Sequence, residues 1–197
     1  MSEPKELKNG DAIVVFADPA AWERWLAEHH DGSGCLWLKL AKKGATTPTL
    51  SYAEALDVAL CYGWIDGQKG SYDAAYWLQR FCPRGPRSKW SQINRDKVAA
   101  LVKAGRMQPA GAAAVEAARA DGRWDAAYEP QSRATVPPDL QAALDANPEA
   151  AAFWKDLNSA NRYAVLYRVQ DAKKPETRAR RIEQFVAMLS RDEKLYP

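Results

Sequence analysis

The sequence predicts an α+β fold: a small mixed sheet with a β-hairpin and packed helices, followed by a C-terminal helical subdomain. Short runs rich in β-branched and aromatic residues occupy the first half of the chain, which indicates strands. The second half shows helical periodicity after repeated helix-start signals. Residues 129–138 contain three prolines and lack periodicity, as a linker does. We therefore predict an α+β domain over residues 1–128, a linker over 129–138 and a helical subdomain over 139–197.

The first elements follow from local signals. The apolar run Asp11–Phe16 predicts a strand. The pair Asp18-Pro19 combines an N-cap residue with a proline at the first helical position, so a helix begins there. "GCLWLKLAKKG" predicts a second strand. Ser51 and Glu54 have the spacing of a capping box, which predicts the start of a second helix.

A hairpin comes next. "GWIDGQ" and "AAYWLQRF" flank the turn-prone stretch 69–71, which predicts two antiparallel strands joined there. Trp64 and Asp66 alternate onto one face of the first strand. Gly63 and Gly67 share the other face and leave it shallow, so that a ligand or another backbone can approach closely.

The rest of the chain is predicted to be helical. Ser88 or Ser91 caps a helix that stops at Gly105, and Pro109 starts an alanine-rich helix. In the tail, the predicted helix starts are Asn147-Pro148, Asn158 or Ser159, and Pro175.

Composition limits the classes of protein that fit. The chain has 197 residues, of which 47% are hydrophobic, so it can bury a core. The three cysteines, Cys35, Cys61 and Cys82, are odd in number and widely separated, and we expect reduced thiols. The first residues show no apolar segment with a cleavage site, and no apolar run reaches the ~20 residues of a membrane span. We expect a cytoplasmic protein.

One segment is unusually basic. Residues 80–106 carry eight Lys and Arg residues and one acid, a net charge of +7 in a chain whose net charge is +3. The predicted N-terminus of the helix at Ser88–Ser91 adds exposed N–H groups, which attract anions. We predict an anion-friendly hollow where the hairpin meets this segment. Its predicted ligand-binding residues are Trp64, Asp66, Arg80, Arg84, Arg87, Ser88, Trp90, Ser91 and Asn94.

Each of these residues also has a structural interpretation. The basic side chains would then be solvated or paired with acids elsewhere, and Trp90 at helical spacing would belong to the core. Asp66 would accept hydrogen bonds in a tight turn or pair with an arginine. In the functional interpretation, Arg84 and Arg87 contact an anion, Trp90 forms a wall, and Asp66 orients the ligand.

The sequence contains no motif for metal or cofactor binding and only weak candidates for catalysis. His29 and His30 are adjacent and diverge on a helix, and neither CxxC nor HxxxH spacing occurs, so we expect no metal. Phosphate-loop and dinucleotide fingerprints are absent, so we expect no cofactor. Asp66 and Asp73 lie on either side of the predicted turn and could act as acid or base, and Asp66 is the catalytic candidate of the two. Cys82 has basic neighbours that could lower the pKa of its thiol, but we favour a buried structural cysteine there. We expect binding rather than catalysis.

Several motifs together resemble a known family. "YGWIDGQ", "LQRFCPR", "SKWSQIN" and "GRMQPAG", with the tail "DAKKPETRARRIEQFVAML", resemble the YdeI/OmpD-associated family, also called bacteriocin-protection or OmdA proteins. The resemblance covers residues 50–188. It implies a link to stress or antimicrobial-peptide resistance, and it implies no particular reaction.

These observations lead to one function and several alternatives. We expect a stress- or resistance-associated protein that binds a small anionic ligand or a protein partner. One alternative is a nucleic-acid-binding protein that uses the basic surface of Arg80–Arg106. Another is an enzyme that acts on a small anionic substrate through Asp66. A third is an interaction module formed by the helical tail.

Overall fold

The computed structural model describes residues 6–197. The chain divides into two compact units, Met1–Ala127 and Tyr128–Pro197. The first unit is a sheet with helices and the second is helical, which confirms the predicted α+β class. The proposed domain boundaries and the linker over residues 129–138 stay predictions.

The first unit contains a five-stranded mixed sheet with the strand order β1-β2-β3-β5-β4. Strands β2 and β3 are parallel, and the other neighbours are antiparallel. The two-residue first strand was not predicted from the sequence. The strands are β1 (Leu7–Lys8), β2 (Asp11–Val14), β3 (Leu36–Ala41), β4 (Trp64–Ser71) and β5 (Tyr76–Pro83).

Four helices belong to this unit: α1 (Pro19–His29), α2 (Tyr52–Cys61), α3 (Gln92–Lys103) and α4 (Pro109–Ala120). Their starts follow the predicted caps. Asp18 accepts a hydrogen bond from the N–H of Ala21, and Ser51 and Glu54 form both bonds of a capping box. Ser91, rather than Ser88, caps α3.

The core of the unit lies on one face of the sheet. Leu38 of β3 and Phe81 of β5 are fully buried there against Trp22 of α1. Trp22 also stacks on Trp25, and its Nε1 donates to the carbonyl of Ala55 on α2 at 3.1 Å. These contacts join α1 and α2 to the same side of the sheet.

The hairpin differs from its prediction in the position of the turn. Residues 69–71 lie inside β4, and the chain reverses over 72–75. Asp73 fixes this turn because its carboxylate accepts the N–H groups of Ala75 and Tyr76. The register shifts between Asp66 and Lys69, where the amide of buried Gln79 donates to two β4 carbonyls. The bulge places one extra residue in β4, because residues 66–69 lie opposite residues 79–81 of β5.

The expectation of three reduced thiols is wrong for two of them. Cys35 and Cys82 form a disulfide with their Cα atoms 4.3 Å apart. The antiparallel pairing of Leu36 with Phe81 places the preceding and following residues opposite each other. A separation of 47 residues in sequence hides this proximity. Cys61 is free and buried.

The second unit contains four helices: α5 (Pro138–Asp145), α6 (Pro148–Asp156), α7 (Ser159–Gln170) and α8 (Pro175–Leu189). The last three begin where the sequence predicts, whereas α5 was not predicted. Asn147 and Asn158 cap their helices with side-chain oxygens. The core of this unit includes Leu140, Val165 and Val169.

Arg178 connects three helices of this unit. Its guanidinium donates two hydrogen bonds to the carboxylate of Asp139 on α5, at 2.5 and 2.8 Å. It also donates to the carbonyl of Val169 on α7 at 2.9 Å. The motif "KKPETR" therefore supplies both the helix start at Pro175 and a three-helix contact.

Candidate functional site

The two tryptophans of the predicted hollow lie in the core. Trp64 is 1% exposed, and its Nε1 donates to the carbonyl of His30 at 3.1 Å. Trp90 is also 1% exposed and meets the ring of Trp124 edge to face, with centroids 4.9 Å apart. Neither ring is accessible as a wall for a ligand, so the structural interpretation of Trp90 is the correct one.

Arg84 covers the ring of Trp90. The central carbon of its guanidinium lies 3.4 Å from the ring centroid. Its Nη1 donates to the Ser88 hydroxyl at 3.4 Å and to the Lys89 carbonyl at 3.2 Å. Arg84 therefore holds the 84–90 loop in shape through its stacking on the indole.

Acids from other elements neutralise part of the basic segment. Arg80 forms an ion pair with Asp11 of β2, with its Nη2 at 2.6 Å from the carboxylate. Lys97 forms another with Asp57 of α2, also at 2.6 Å. Arg95 donates to the carbonyl of Trp124. These three cations contact partners on different segments of the chain, so they do not converge on one site.

Among the remaining predicted residues of this segment, some make structural contacts and one is exposed. Ser91 accepts the N–H of buried Asn94, so both serve the start of α3. The carbonyl of Ser88 accepts a hydrogen bond from Arg123. Arg87 is exposed. Its role as an anion contact stays a prediction.

Asp66 has a defined partner. Its carboxylate accepts a hydrogen bond from the hydroxyl of Tyr52, at the start of α2, at 2.8 Å. Asp66 is half-buried, and its strand neighbour across the ladder is Phe81. The bond ties α2 to β4, and a role in acid–base chemistry stays a prediction.

A different part of the same hairpin forms a concave, cationic site. We call it the lysine hollow and define it by Lys42, Lys43, Lys69 and Trp77. It has a volume of about 640 Å³, and its lining also includes Ala41, Gly70 and Ser71. The three lysines are exposed and Trp77 is half-buried. Cationic groups therefore surround a partly accessible indole.

Local structure fixes each member of the lysine hollow. Lys42 follows the end of β3, and its Nζ donates to the carbonyl of Asp73 in the hairpin turn at 2.6 Å. The bulge in β4 pairs Lys69 with Gln79, and its Nζ lies 4.6 Å from the centroid of the Trp77 ring. The β3–β5 register places Trp77 opposite Leu40, one residue before the end of β3. The sheet thus brings the ends of two strands together around one ring.

The sequence contains the signal for this site only in part. "AKKG" and the lysine at 69 were assigned to a strand end and to a turn. Their proximity depends on the β3–β5 register and on the bulge in β4, neither of which a single sequence specifies. An aromatic strand residue flanked by lysines on both neighbouring strands is the pattern that would have revealed it.

The helical unit has a larger concavity of another kind. A groove of ≈ 730 Å³ lies between α5 and α8, and its lining includes Ala143, Ala179, Ile182 and Val186. The Asp139–Arg178 ion pair lies at its edge. The groove is mainly apolar, so it does not resemble the lysine hollow.

Together these features define an α+β protein with a mixed five-stranded sheet, a cationic hollow in its first unit and a helical second unit. The chain belongs to the family described as domain of unknown function (DUF8412), whose model matches residues 14–114. The model of the family described as "Bacteriocin-protection, YdeI or OmpD-Associated" matches residues 133–192. This match confirms the resemblance seen in the tail motif. The hairpin and basic motifs instead fall within the first match.

The other comparisons add no relative. Neither the search of curated proteins nor that of solved structures finds a match. Within residues 6–197, no helix has the length and apolar character needed to cross a membrane. The same part of the chain holds no group of three or more His, Cys, Asp or Glu side chains arranged for a metal ion.

Proposed function

We propose that this protein binds a small anionic ligand and that the lysine hollow is the binding site. The observation that carries the proposal is the concave surface on which Lys42, Lys43 and Lys69 surround the indole of Trp77. The family matched by residues 133–192 is described by bacteriocin protection. We extend this to a role in stress or antimicrobial-peptide resistance, with a cytoplasmic location, as part of the same proposal.

The chemistry of lysine favours a compact oxyanion. An ammonium group is a point charge with three donors on a flexible stem, and it binds phosphate oxygens without the planar geometry that arginine imposes. Trp77 offers an apolar face for the uncharged part of a ligand. Because the lysines are exposed, salt screens their attraction for the anion, and binding weakens as ionic strength rises.

The lysine hollow fits an anion better than the predicted hollow around Trp90. Trp90 is buried, and Arg80 is already paired with Asp11. In the lysine hollow, Lys42 contacts a backbone carbonyl and Lys69 contacts a ring, so both keep their positive charge uncompensated in these contacts. Arg87 remains the exposed alternative, and the same experiment tests it.

Calorimetric titration of the full chain with pyrophosphate tests the proposal. The double variant Lys42→Gln/Lys69→Gln removes two cations from the lysine hollow. We expect its affinity to fall about tenfold, since each exposed charge contact contributes roughly 0.5–1 kcal/mol. The matched control is Arg87→Gln/Lys103→Gln, which removes the same charge from exposed positions of the basic segment. We expect the control to bind like the wild type.

Two results would overturn the assignment. If the Lys42→Gln/Lys69→Gln protein keeps wild-type affinity, the lysine hollow is not the site. If the control loses affinity instead, the anion binds at the basic segment. Retained helix content in circular dichroism shows that each variant is folded.

The two alternative functions stay predictions. A nucleic-acid-binding protein would shift a single-stranded oligonucleotide in a gel, with a steep loss of affinity as salt rises. An enzyme that uses Asp66 would lose turnover in Asp66→Asn. The ion pairs of Arg80 and Lys97 reduce the free positive charge of the basic surface, so we favour the small anion.

A further inference from the structure

The disulfide between Cys35 and Cys82 lies at a place suited to reversible chemistry. Cys35 immediately precedes β3 and Cys82 lies in β5, so the two residues are neighbours next to the paired residues Leu36 and Phe81. A Cα separation of 4.3 Å matches the close, non-hydrogen-bonded type of antiparallel pair. Backbone pairing from Leu36–Phe81 onward joins the two strands independently of the bond between the sulfurs. We expect the bond to open and close without unfolding of the sheet.

The disulfide is also accessible. Cys35 and Cys82 are both half-buried. Alternation along β5 puts Cys82 on the face of Arg80, opposite the face on which Phe81 packs against α1. Helices cover the Phe81 face, whereas the Arg80 face carries charged side chains such as the Arg80–Asp11 pair.

Cys61 provides an internal contrast. It is 1% exposed, and burial raises the pKa of its thiol to about 11. A thiol of this kind is neutral and shielded, so it does not take part in exchange. Within residues 6–197 there is thus one inert thiol and one half-buried disulfide.

We infer that Cys35–Cys82 is a redox modification site that undergoes thiol–disulfide exchange with a dithiol, either a small molecule or a reductase of that chemistry. A thiolate of the dithiol attacks one sulfur, the Cys35–Cys82 bond breaks, and a mixed disulfide forms. The second thiol of the reductant then displaces the protein sulfur. Two electrons pass to the protein, which ends with two thiols, and the reductant ends as a disulfide.

Reduction changes the stability of the first unit. The bond closes a loop with a sequence separation of 47 residues, which contains β3, α2, β4 and most of β5. A cross-link of this length restricts the unfolded chain, so its loss makes unfolding easier. The redox state of the disulfide therefore changes how readily the first unit, which carries the lysine hollow, unfolds.

Alkylation of the native full chain, read by mass spectrometry, tests the inference. Without reductant, we expect no alkylation of Cys35 or Cys82. After incubation with a millimolar dithiol, we expect both to be alkylated while Cys61 stays unmodified. The melting temperature should fall by roughly 10 °C on reduction and return after oxidation with glutathione disulfide.

Three results would contradict the inference. These are full reaction of Cys35 and Cys82 before reduction, resistance of the bond to the dithiol until the protein is denatured, and an equal melting temperature in both states. The variant Cys35→Ser/Cys82→Ser should melt like the reduced wild type, with or without dithiol. The alkylation result on the wild type decides the matter even if this variant does not fold.

Discussion

Gly111 occupies a position on α4 where a side chain has no room. The residue is buried, and a Cβ atom there would lie 2.1 Å from the carbonyl oxygen of Cys61 and 2.8 Å from that of Leu60. Both oxygens belong to the backbone at the end of α2 and cannot turn aside. The absence of a side chain therefore lets α4 pack directly on α2.

This contact predicts the effect of Gly111→Ala. Alanine is the better helix former by about 1 kcal/mol, but overpacking against a rigid backbone costs more. We expect a net loss of about 2 kcal/mol in the free energy of unfolding. Tryptophan fluorescence during denaturant titration measures it, because seven of the eight tryptophans lie in the first unit.

Gly85→Ala is the matched control for that substitution. No atom lies within 4 Å of the place where its Cβ would be. We expect a change below about 0.5 kcal/mol. Equal losses in the two variants would mean that the α2–α4 contact does not depend on Gly111.

Trp77 and Trp90 show how much of a single residue's role can be predicted from the sequence. Both are strand- or helix-associated aromatic residues close to lysines and arginines. Only tertiary structure decides that Trp90 packs on Trp124 and that Trp77 faces the lysine hollow. The identity of a tryptophan predicts a large contact area but not whether the contact is with core or with ligand.

At the level of elements, the Asp139–Arg178 ion pair joins α5 to α8 and makes the stability of the second unit depend on pH. The hydrogen bonds from Arg178 hold the pKa of the Asp139 carboxyl below its ordinary value. The ion pair therefore stabilises the fold fully above the ordinary aspartate pKa of about 3.9, and this contribution disappears as the pH falls through the lower folded value.

Asp139→Asn should reproduce that loss at neutral pH. We expect a decrease of up to about 1 kcal/mol in the free energy of unfolding near neutral pH, kept small because the carboxylate is partly exposed to solvent. The difference from the wild type should shrink as the pH falls below the ordinary aspartate pKa of about 3.9 and through the lower folded value. Denaturant titrations followed by circular dichroism, at neutral pH and at acidic pH, measure the two free energies of unfolding. Asp145→Asn on the same helix is the control, and an equal effect there would refute a specific role for Asp139.

Helix starts were the most predictable elements, and strand pairings the least. Asp18, Ser51 and Pro175 act through atoms within a few residues, so the local sequence contains their signal. Other features depend on the register between strands that are distant in sequence. They are the disulfide, the bulge in β4 opposite Gln79 and the lysine hollow. The short helix α5 was missed because Pro137 and Pro138, at its start, were assigned to the linker.

The whole molecule combines two family signatures. Residues 14–114 match the domain of unknown function and lie in the first unit, and residues 133–192 match the bacteriocin-protection family and lie in the second. The lysine hollow and the disulfide both belong to the first unit. The proposed anion binding and redox chemistry are therefore properties of the part without a described function.

Anion binding is the central claim, and tryptophan side chains report on it directly. In nuclear magnetic resonance spectra of nitrogen-labelled protein, each indole N–H gives its own signal. Titration with pyrophosphate should shift the Trp77 signal progressively, while the signals of buried Trp64 and Trp90 stay in place. A shift of Trp90 with Trp77 unchanged, or no shift of any indole, would contradict the account.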